Sequence, residues 1–198
     1  MNDFVFHILT AKLHLFSDIV AIFIHYFICS SVNMSFICSF LQRKHYLCSM
    51  TEEQLKKDEF YMQRALDEAR QAYDEGEIPI GAVIVCKDRI ISRAHNLTET
   101  LCDVTAHAEM QAITAAANTL GGKYLTDCTL YVTVEPCVMC AGAIGWAQIP
   151  RIVYGATDEK RGYHEYAPNA LHPKAVAIGG VCGEECRQLM QAFFKNKR

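Results

Sequence analysis

Residues 105–109 read Thr-Ala-His-Ala-Glu, and residues 135–140 read Glu-Pro-Cys-Val-Met-Cys. These two stretches supply three good metal ligands, which are His107, Cys137 and Cys140. Imidazole nitrogen and thiolate sulfur are donors that zinc prefers in a tetrahedral site. The pattern therefore predicts that two distant segments of the chain meet at one metal ion, and that the fold is organised around this meeting.

Both segments have features of helix N-termini. Cys137 and Cys140 are three residues apart, so they share one face of a helix, and Pro136 is tolerated in a first helical turn. His107 opens an apolar run of helical spacing. The positive end of a helix favours thiolates. We therefore expect two helix N-termini to converge on the metal.

Glu109 follows the histidine by two residues and is the candidate proton carrier. Three protein ligands leave one tetrahedral position open, and a dication with two thiolates is able to acidify a water bound there. A purely structural zinc would want a fourth Cys or His at a matching offset, and none is obvious. Burial in an ordinary core would explain one such cysteine, but it does not explain the whole set.

The order H-x-E followed by P-C-x-x-C is the signature of zinc deaminases that act on nucleobases. Residues 50–198 resemble the bacterial tRNA-specific adenosine deaminases at Asn96, at 105–110 and at 135–143. Guanine and cytosine deaminases share the metal motif and fit its flanks less well. Val104 stands where the family often has Pro, and we expect this difference to alter the stiffness of the loop without loss of ligation.

The resemblance implies hydrolytic deamination of adenosine to inosine at the wobble position of a tRNA anticodon, with one zinc ion per subunit. It implies that Glu109 is the proton donor and acceptor, and that the two cysteines and His107 hold the metal. It further implies substrate-binding positions, which are Asn96, Ala108, Asp158, Phe194 and Arg198. Family members form homodimers, so the expected partners are an anticodon stem-loop and a second copy of the chain.

Three other functions remain open on the sequence alone. The first is a free-base or nucleoside deaminase, for guanine or cytosine. The second is a non-catalytic zinc-binding partner subunit, although such a subunit would have no need of Glu109. The third is a membrane-anchored form, which rests on the apolar residues 15–29.

Charge and cysteine content narrow the class of protein. The net charge is −3, and the one small basic cluster consists of Lys195, Lys197 and Arg198, which suits phosphate contacts but not bulk binding of long nucleic acid. The 10 cysteines lack the spacing of a disulfide framework, so we expect a reducing, cytoplasmic compartment. Cys86, Cys128 and Cys182 fall in or beside apolar runs and are expected to be buried thiols.

Residues 1–49 differ from the rest of the chain and are not expected to belong to the functional domain. Asp18 and His25 interrupt their most apolar part, and the N-terminus is not basic as a signal peptide requires. We interpret the segment as an upstream extension of the reading frame. A membrane or targeting segment and an ordered extension are the alternatives. The deaminase domain is placed at residues 50–198.

Hydrophobic periodicity predicts a helix from residue 51 to about 75, a hairpin of strands 78–85 and 90–95, and a central strand 128–134. Further strands are predicted at 151–156 and 176–181, and a last helix at 184–198. Strands interleaved with helices predict an α/β fold. The resemblance implies a cytidine-deaminase-like, three-layer α/β/α sandwich with a mixed five-stranded sheet.

Two aromatic regions carry further expectations. Trp146 is interpreted as a core or interface residue. Residues 161–173 are predicted to form a loop with Tyr163, His164, Tyr166 and His172. Stacking of these rings on unpaired bases and a loop without such a role are both open.

Overall fold

The computed structural model describes residues 52–197, which belong to one compact unit. The interpretations of residues 1–49 and of Arg198 lie outside the described residues. In chain order the elements are α1 (Glu52–Asp74), β1 (Gly81–Cys86), β2 (Arg89–His95), α2 (Ala108–Leu120), β3 (Cys128–Val134), α3 (Val138–Trp146), β4 (Arg151–Ala156), α4 (Tyr163–Tyr166), β5 (Val176–Gly179) and α5 (Gly183–Asn196).

The sheet has five strands in the order β2-β1-β3-β4-β5, and it is mixed as predicted. β1 is antiparallel to β2 and to β3, whereas β4 is parallel to β3 and to β5. The β1–β2 hairpin turns at Lys87 and Asp88, whose φ angles are 47° and 63°. Positive φ at both central residues matches the twist of the flanking strands, so the predicted turn is confirmed.

Helices cover both faces of the sheet. Leu130 and Val132 of β3 face the layer of α2 and α3, while the intervening Tyr131 faces the layer of α1 and α5. A strand that is covered on both faces has no solvent-facing side, which explains why β3 contains no charged residue. The predicted three-layer α/β/α sandwich is therefore confirmed.

Gly81 allows α1 to lie directly on β1. A Cβ atom at this position would be 2.1 Å from the carbonyl oxygen of Ala65 and 2.4 Å from the backbone nitrogen of Ala69. Backbone atoms cannot move away as a flexible side chain does, so only glycine fits. This close approach sets the position of the carboxyl end of α1, from which the chain enters β1.

A buried ion pair joins α1 to the amino ends of β3 and β4. Arg151 donates to Asp58 through both terminal nitrogens, at 2.9 and 2.6 Å, and the Tyr131 hydroxyl donates to the same carboxylate at 2.9 Å. Asp58 is 0% exposed. Bidentate geometry and a third donor offset the cost of burying the carboxylate. We call Asp58 and Arg151 the basal ion pair.

Some local expectations were confirmed only in part, and others were wrong. Trp146 is 85% exposed, which excludes the core interpretation, and the interface interpretation stays a prediction. The segment 161–173 contains the short helix α4, and Tyr163 is buried there, so its ring is not available for stacking. Cys128 is buried as expected, whereas Cys86 and Cys182 are half-buried.

A helix that crosses a membrane needs about 20 predominantly apolar residues. Within residues 52–197, no helix has both the length and the apolar character that a crossing requires. The apolar residues 15–29 lie outside the described residues.

Candidate active site

The predicted metal ligands lie at two helix N-termini. His107 is the N-cap of α2, Cys137 is the N-cap of α3, and Cys140 lies in the first turn of α3. Pro136 therefore precedes the N-cap and is not in the first turn, because α3 begins at Val138. Neither N-cap makes a side-chain capping hydrogen bond, so the imidazole and the thiol are left for another partner.

The three donor atoms converge. The Nδ1 atom of His107 lies 3.6 Å from Sγ of Cys137 and 3.5 Å from Sγ of Cys140, and all three ligand atoms are within 4.8 Å of one another. One nitrogen and two sulfurs at this separation suit a single zinc ion with one open position. We call His107, Cys137 and Cys140 the His–Cys cluster.

The two thiols differ in acidity. A hydrogen bond from the Cys140 thiol lowers the pKa of Cys137 to about 4, and the His107 ring adds to the effect. The same hydrogen bond and burial raise the pKa of Cys140 well above its ordinary range. The hydrogen bond to Cys137 raises the pKa of His107. A dication ligated by both sulfurs would favour the thiolate form of both cysteines.

Glu109 lies in the first turn of α2 and is 3% exposed. Burial raises its pKa to about 7, from an ordinary value of 4.5. Among residues 52–197, its Oε2 atom is buried without a hydrogen-bond partner. A buried carboxyl group that titrates near neutrality and has an uncommitted oxygen is suited to accept and return a proton.

Asn96 follows β2 and is 2% exposed. Its Nδ2 atom donates to Oε2 of Glu77 at 3.1 Å and to the hydroxyl of Thr98 at 2.9 Å. The amide is therefore held in one orientation before any substrate binds.

Glu135 lies between β3 and Cys137 and is 4% exposed. Its carboxylate accepts hydrogen bonds from the backbone nitrogens of Asp158 and His164, both at 3.2 Å. A Cβ atom on Gly162 would be 2.6 Å from the Glu135 carboxyl carbon, so glycine is required beside it. Glu135 thus holds the segment after β4 against the segment that carries Cys137.

Comparison with known proteins identifies the family. The family described as the cytidine and deoxycytidylate deaminase zinc-binding region matches residues 55–156, which include the His–Cys cluster and Glu109. The chain belongs to this deaminase family.

The curated relatives of the deaminase are similar over almost their whole length. The tRNA-specific adenosine deaminase of Bacillus subtilis (strain 168) is 44% identical over 149 residues, which are 73% of this chain and 92% of the relative. The tRNA-specific adenosine deaminase of Aquifex aeolicus (strain VF5) is 49% identical over 144 residues, covering 71% and 95% of the two chains.

A solved structure supports the same fold. It comes from work on A-to-I editing by tRNA:A34 deaminases at the wobble position of transfer RNA. It is 43% identical, has a TM-score of 0.62, and covers 66% of this chain and 98% of its own. The likeness therefore extends beyond the zinc-binding region to the domain.

The other predicted substrate-binding residues of the deaminase that the structure describes lie on α2, on the segment after β4 and on α5. Ala108 opens α2 and is 0% exposed, and the Asp158 carboxylate accepts from the backbone nitrogens of Lys160 and Arg161. Phe194 is 45% exposed on α5, in the helical layer opposite α2 and α3. Within residues 52–197, no hydrogen bond or ring contact joins Phe194 to the His–Cys cluster. The substrate roles of these residues stay predictions.

Sequence reasoning missed Glu77, which contacts Asn96 in the folded deaminase. The surrounding residues 74–77 read Asp-Glu-Gly-Glu, a composition typical of an exposed turn. Glu77 is nevertheless 0% exposed. The available signal is its place immediately before an apolar strand, and that signal does not distinguish a buried carboxylate from an exposed one.

Proposed function

We propose that the deaminase converts adenosine to inosine at the wobble position of a tRNA anticodon, by hydrolysis that releases ammonia. The observation that carries this proposal is the buried, uncommitted carboxyl oxygen of Glu109 beside a three-donor zinc site. The relatives named tRNA-specific adenosine deaminase support adenosine in tRNA as the substrate.

His107, Cys137 and Cys140 would hold the zinc ion. When bound, zinc supplies Lewis acidity that makes a water molecule nucleophilic near neutral pH. Glu109 accepts the proton of the attacking water and returns it to N1 of adenine. It then assists the departure of the amino group from C6 as ammonia. Asn96 orients the base, which the stem-loop presents already unpaired, so little energy is needed for base flipping.

Further parts of the proposal concern partners. Phe194, Asp158, Ala108 and Arg198 would contact the RNA or its base, and Lys195 is exposed beside Phe194. The exposed Val138, Met139 and Trp146 of α3 support a homodimer, because an isolated subunit would leave these apolar side chains in water.

Cytoplasmic localisation and the domain boundary complete the proposal. The seven cysteines among the described residues are all free thiols, which suits a reducing compartment. The relatives align with 149 or fewer residues of this chain, which supports a functional domain at residues 50–198. Mass spectrometry of the native protein tests the boundary, and a mature N-terminus near residue 1 would contradict an upstream extension.

Product analysis with the zinc-loaded protein tests the substrate. The assay offers an anticodon stem-loop with adenosine at the wobble position, beside free adenosine, guanine and cytosine. We expect inosine in the stem-loop alone. Turnover of a free base alone would leave the roles of the His–Cys cluster and Glu109 intact and would refute the tRNA substrate.

A further inference from the structure

Glu77 occupies a position at which a carboxylate is unusual. α1 ends in a Schellman motif: Gly76 has a φ of 79° and donates to the carbonyl of Tyr73, and the backbone nitrogen of Glu77 donates to the carbonyl of Ala72 at 2.9 Å. The residue after the glycine of this motif commonly makes a hydrophobic contact. Here it is an acid that is 0% exposed. A buried acid in place of the usual apolar residue departs from a local sequence preference, and such a departure is expected where it serves another interaction in the structure.

Four hydrogen bonds surround the carboxylate. Oε1 accepts from the backbone nitrogen of Thr100 at 2.7 Å. Oε2 accepts from the backbone nitrogen of Glu99 at 3.2 Å, from the Thr98 hydroxyl at 3.3 Å and from Nδ2 of Asn96 at 3.1 Å. Burial acts to raise the pKa of Glu77, but the backbone donors of Thr100 and Glu99 outweigh it, and the pKa lies below its ordinary value. The group is thus an ionised acceptor at neutral pH.

An ionised carboxylate can only accept hydrogen bonds, so it decides which way the Asn96 amide faces. The NH₂ group must point at Glu77, and the Thr98 hydroxyl takes its second hydrogen. The amide oxygen is thereby turned away from both partners. A glutamine in place of Glu77 could donate or accept, and the choice of orientation would be lost.

The same carboxylate anchors the chain that leads to the metal. Thr98, Glu99 and Thr100 begin the loop that separates β2 from α2. The loop closes on itself where the backbone nitrogen of Leu97 donates to the carbonyl of Ala106 at 3.0 Å, one residue before His107. Glu77 is therefore tied both to Asn96 and to the start of the loop that delivers His107.

We propose that Glu77 is a positioning residue of the deaminase, which fixes the amide orientation of Asn96 and the loop of residues 97–106 for substrate binding. The inference rests on the proposed function in one respect, the role of Asn96 at the base. Glu77 itself does not touch the reacting atoms and acts through Asn96 and through the loop.

A double-mutant cycle tests this. Steady-state kinetics on the wobble-adenosine stem-loop compare the wild type with Glu77→Gln, Asn96→Ala and the double variant. We expect Glu77→Gln to lower kcat/KM roughly 10- to 100-fold, the scale of one or two hydrogen bonds to a charged group. Because part of the effect of Glu77 runs through Asn96, the loss in the double variant should be smaller than the product of the two single losses. Losses that multiply in the double variant would overturn the proposal.

Two further variants separate positioning from general destabilisation. Glu77→Asp keeps an acceptor-only group and should recover part of the activity lost in Glu77→Gln, whereas equal activity of the two would contradict the orientation argument. Glu59→Gln, a change to an exposed carboxylate of α1, is the matched control and should behave as the wild type. Zinc content should stay at one per chain in every variant, and its loss in Glu77→Gln would overturn positioning in favour of a structural role.

Hydrogen–deuterium exchange gives a readout that does not depend on the substrate. Glu77→Gln should speed exchange at residues 97–106 and leave α3 unchanged. Unaltered exchange in this loop would refute the anchoring. If the wild type makes no inosine, the proposed function fails while the exchange result still decides whether Glu77 orders the loop.

Discussion

The basal ion pair and the His–Cys cluster lie beyond opposite ends of β3 and β4, and both place charged groups in the interior. At the amino end, Arg151 and Tyr131 occupy both oxygens of the Asp58 carboxylate. At the carboxyl end, Glu109 keeps an oxygen without a partner, and the ligand atoms of the cluster face one another within 4.8 Å.

This difference indicates that the two ends of the strands have different roles, one in the stability of the fold and the other in its chemistry. A closed ion pair has no capacity left for a ligand, so its effect is to hold α1 on the sheet. Burying metal-ligand atoms and a carboxyl oxygen that have no partner costs free energy. Such groups are retained in a fold where a bound ligand supplies the missing partner. Changes at the two ends should therefore affect different measurements.

The largest effect is expected at the open end. Glu109→Ala removes the proton carrier and should lower kcat roughly 10³-fold, within the range usual for general acid–base catalysis. Zinc content should not change, because the three ligands are intact. The measurement is single-turnover formation of inosine, with metal analysis on the same sample. Retention of a tenth or more of wild-type kcat would remove Glu109 from its role.

A substitution in the basal ion pair should lower the free energy of unfolding. Arg151→Ala leaves the Asp58 carboxylate buried without its bidentate partner and should lower the free energy of unfolding by about 3 kcal/mol. Urea unfolding of the zinc-loaded protein measures this, and kcat of the folded fraction should stay within about twofold of the wild type. A large fall in kcat without a fall in stability would show that the two ends are coupled.

Lowering the pH should reveal how much the buried carboxylate of Glu77 contributes to the free energy of unfolding. Its folded pKa lies below its ordinary value of 4.5, so its contribution to stability is present above pH 4.5 and is lost as the pH falls through the folded pKa. The difference in unfolding free energy between the wild type and Glu77→Gln should be about 1–2 kcal/mol at pH 7 and should shrink below pH 4.5. A difference that is constant from pH 7 to pH 3 would contradict a depressed pKa.

The smallest effect is expected for an ion pair on the surface. Arg187 pairs with Glu184 on α5, with both side chains more than half exposed. Arg187→Ala should change the unfolding free energy by no more than about 0.5 kcal/mol, because water solvates both charges in either state. The same urea experiment measures it and gives the scale for Arg151→Ala. Equal effects of the two substitutions would refute the idea that burial distinguishes the basal ion pair.

The metal centre was predictable because the residues that form it follow short spacings in the sequence. Cys137 and Cys140 are held together by helical spacing, and His107 and Glu109 are two residues apart. The hairpin turn and the apolar strands follow from equally short patterns. Trp146 was not predictable in the same way, because an apolar helix residue faces the core or the solvent according to what packs beside it.

The sequence by itself determined the types of the candidate ligands, the candidate proton carrier and the alternation of strands and helices, since these depend on chemistry and on spacings of a few residues. Only the tertiary structure decided that Glu77 is buried against Asn96, 19 residues away, and that Asp58 meets Arg151 across 93 residues. The sequence around a carboxylate in a polar segment does not indicate whether the folded protein buries it. Its partners are brought to it by the packing of α1 on the sheet, which no short stretch of the chain encodes.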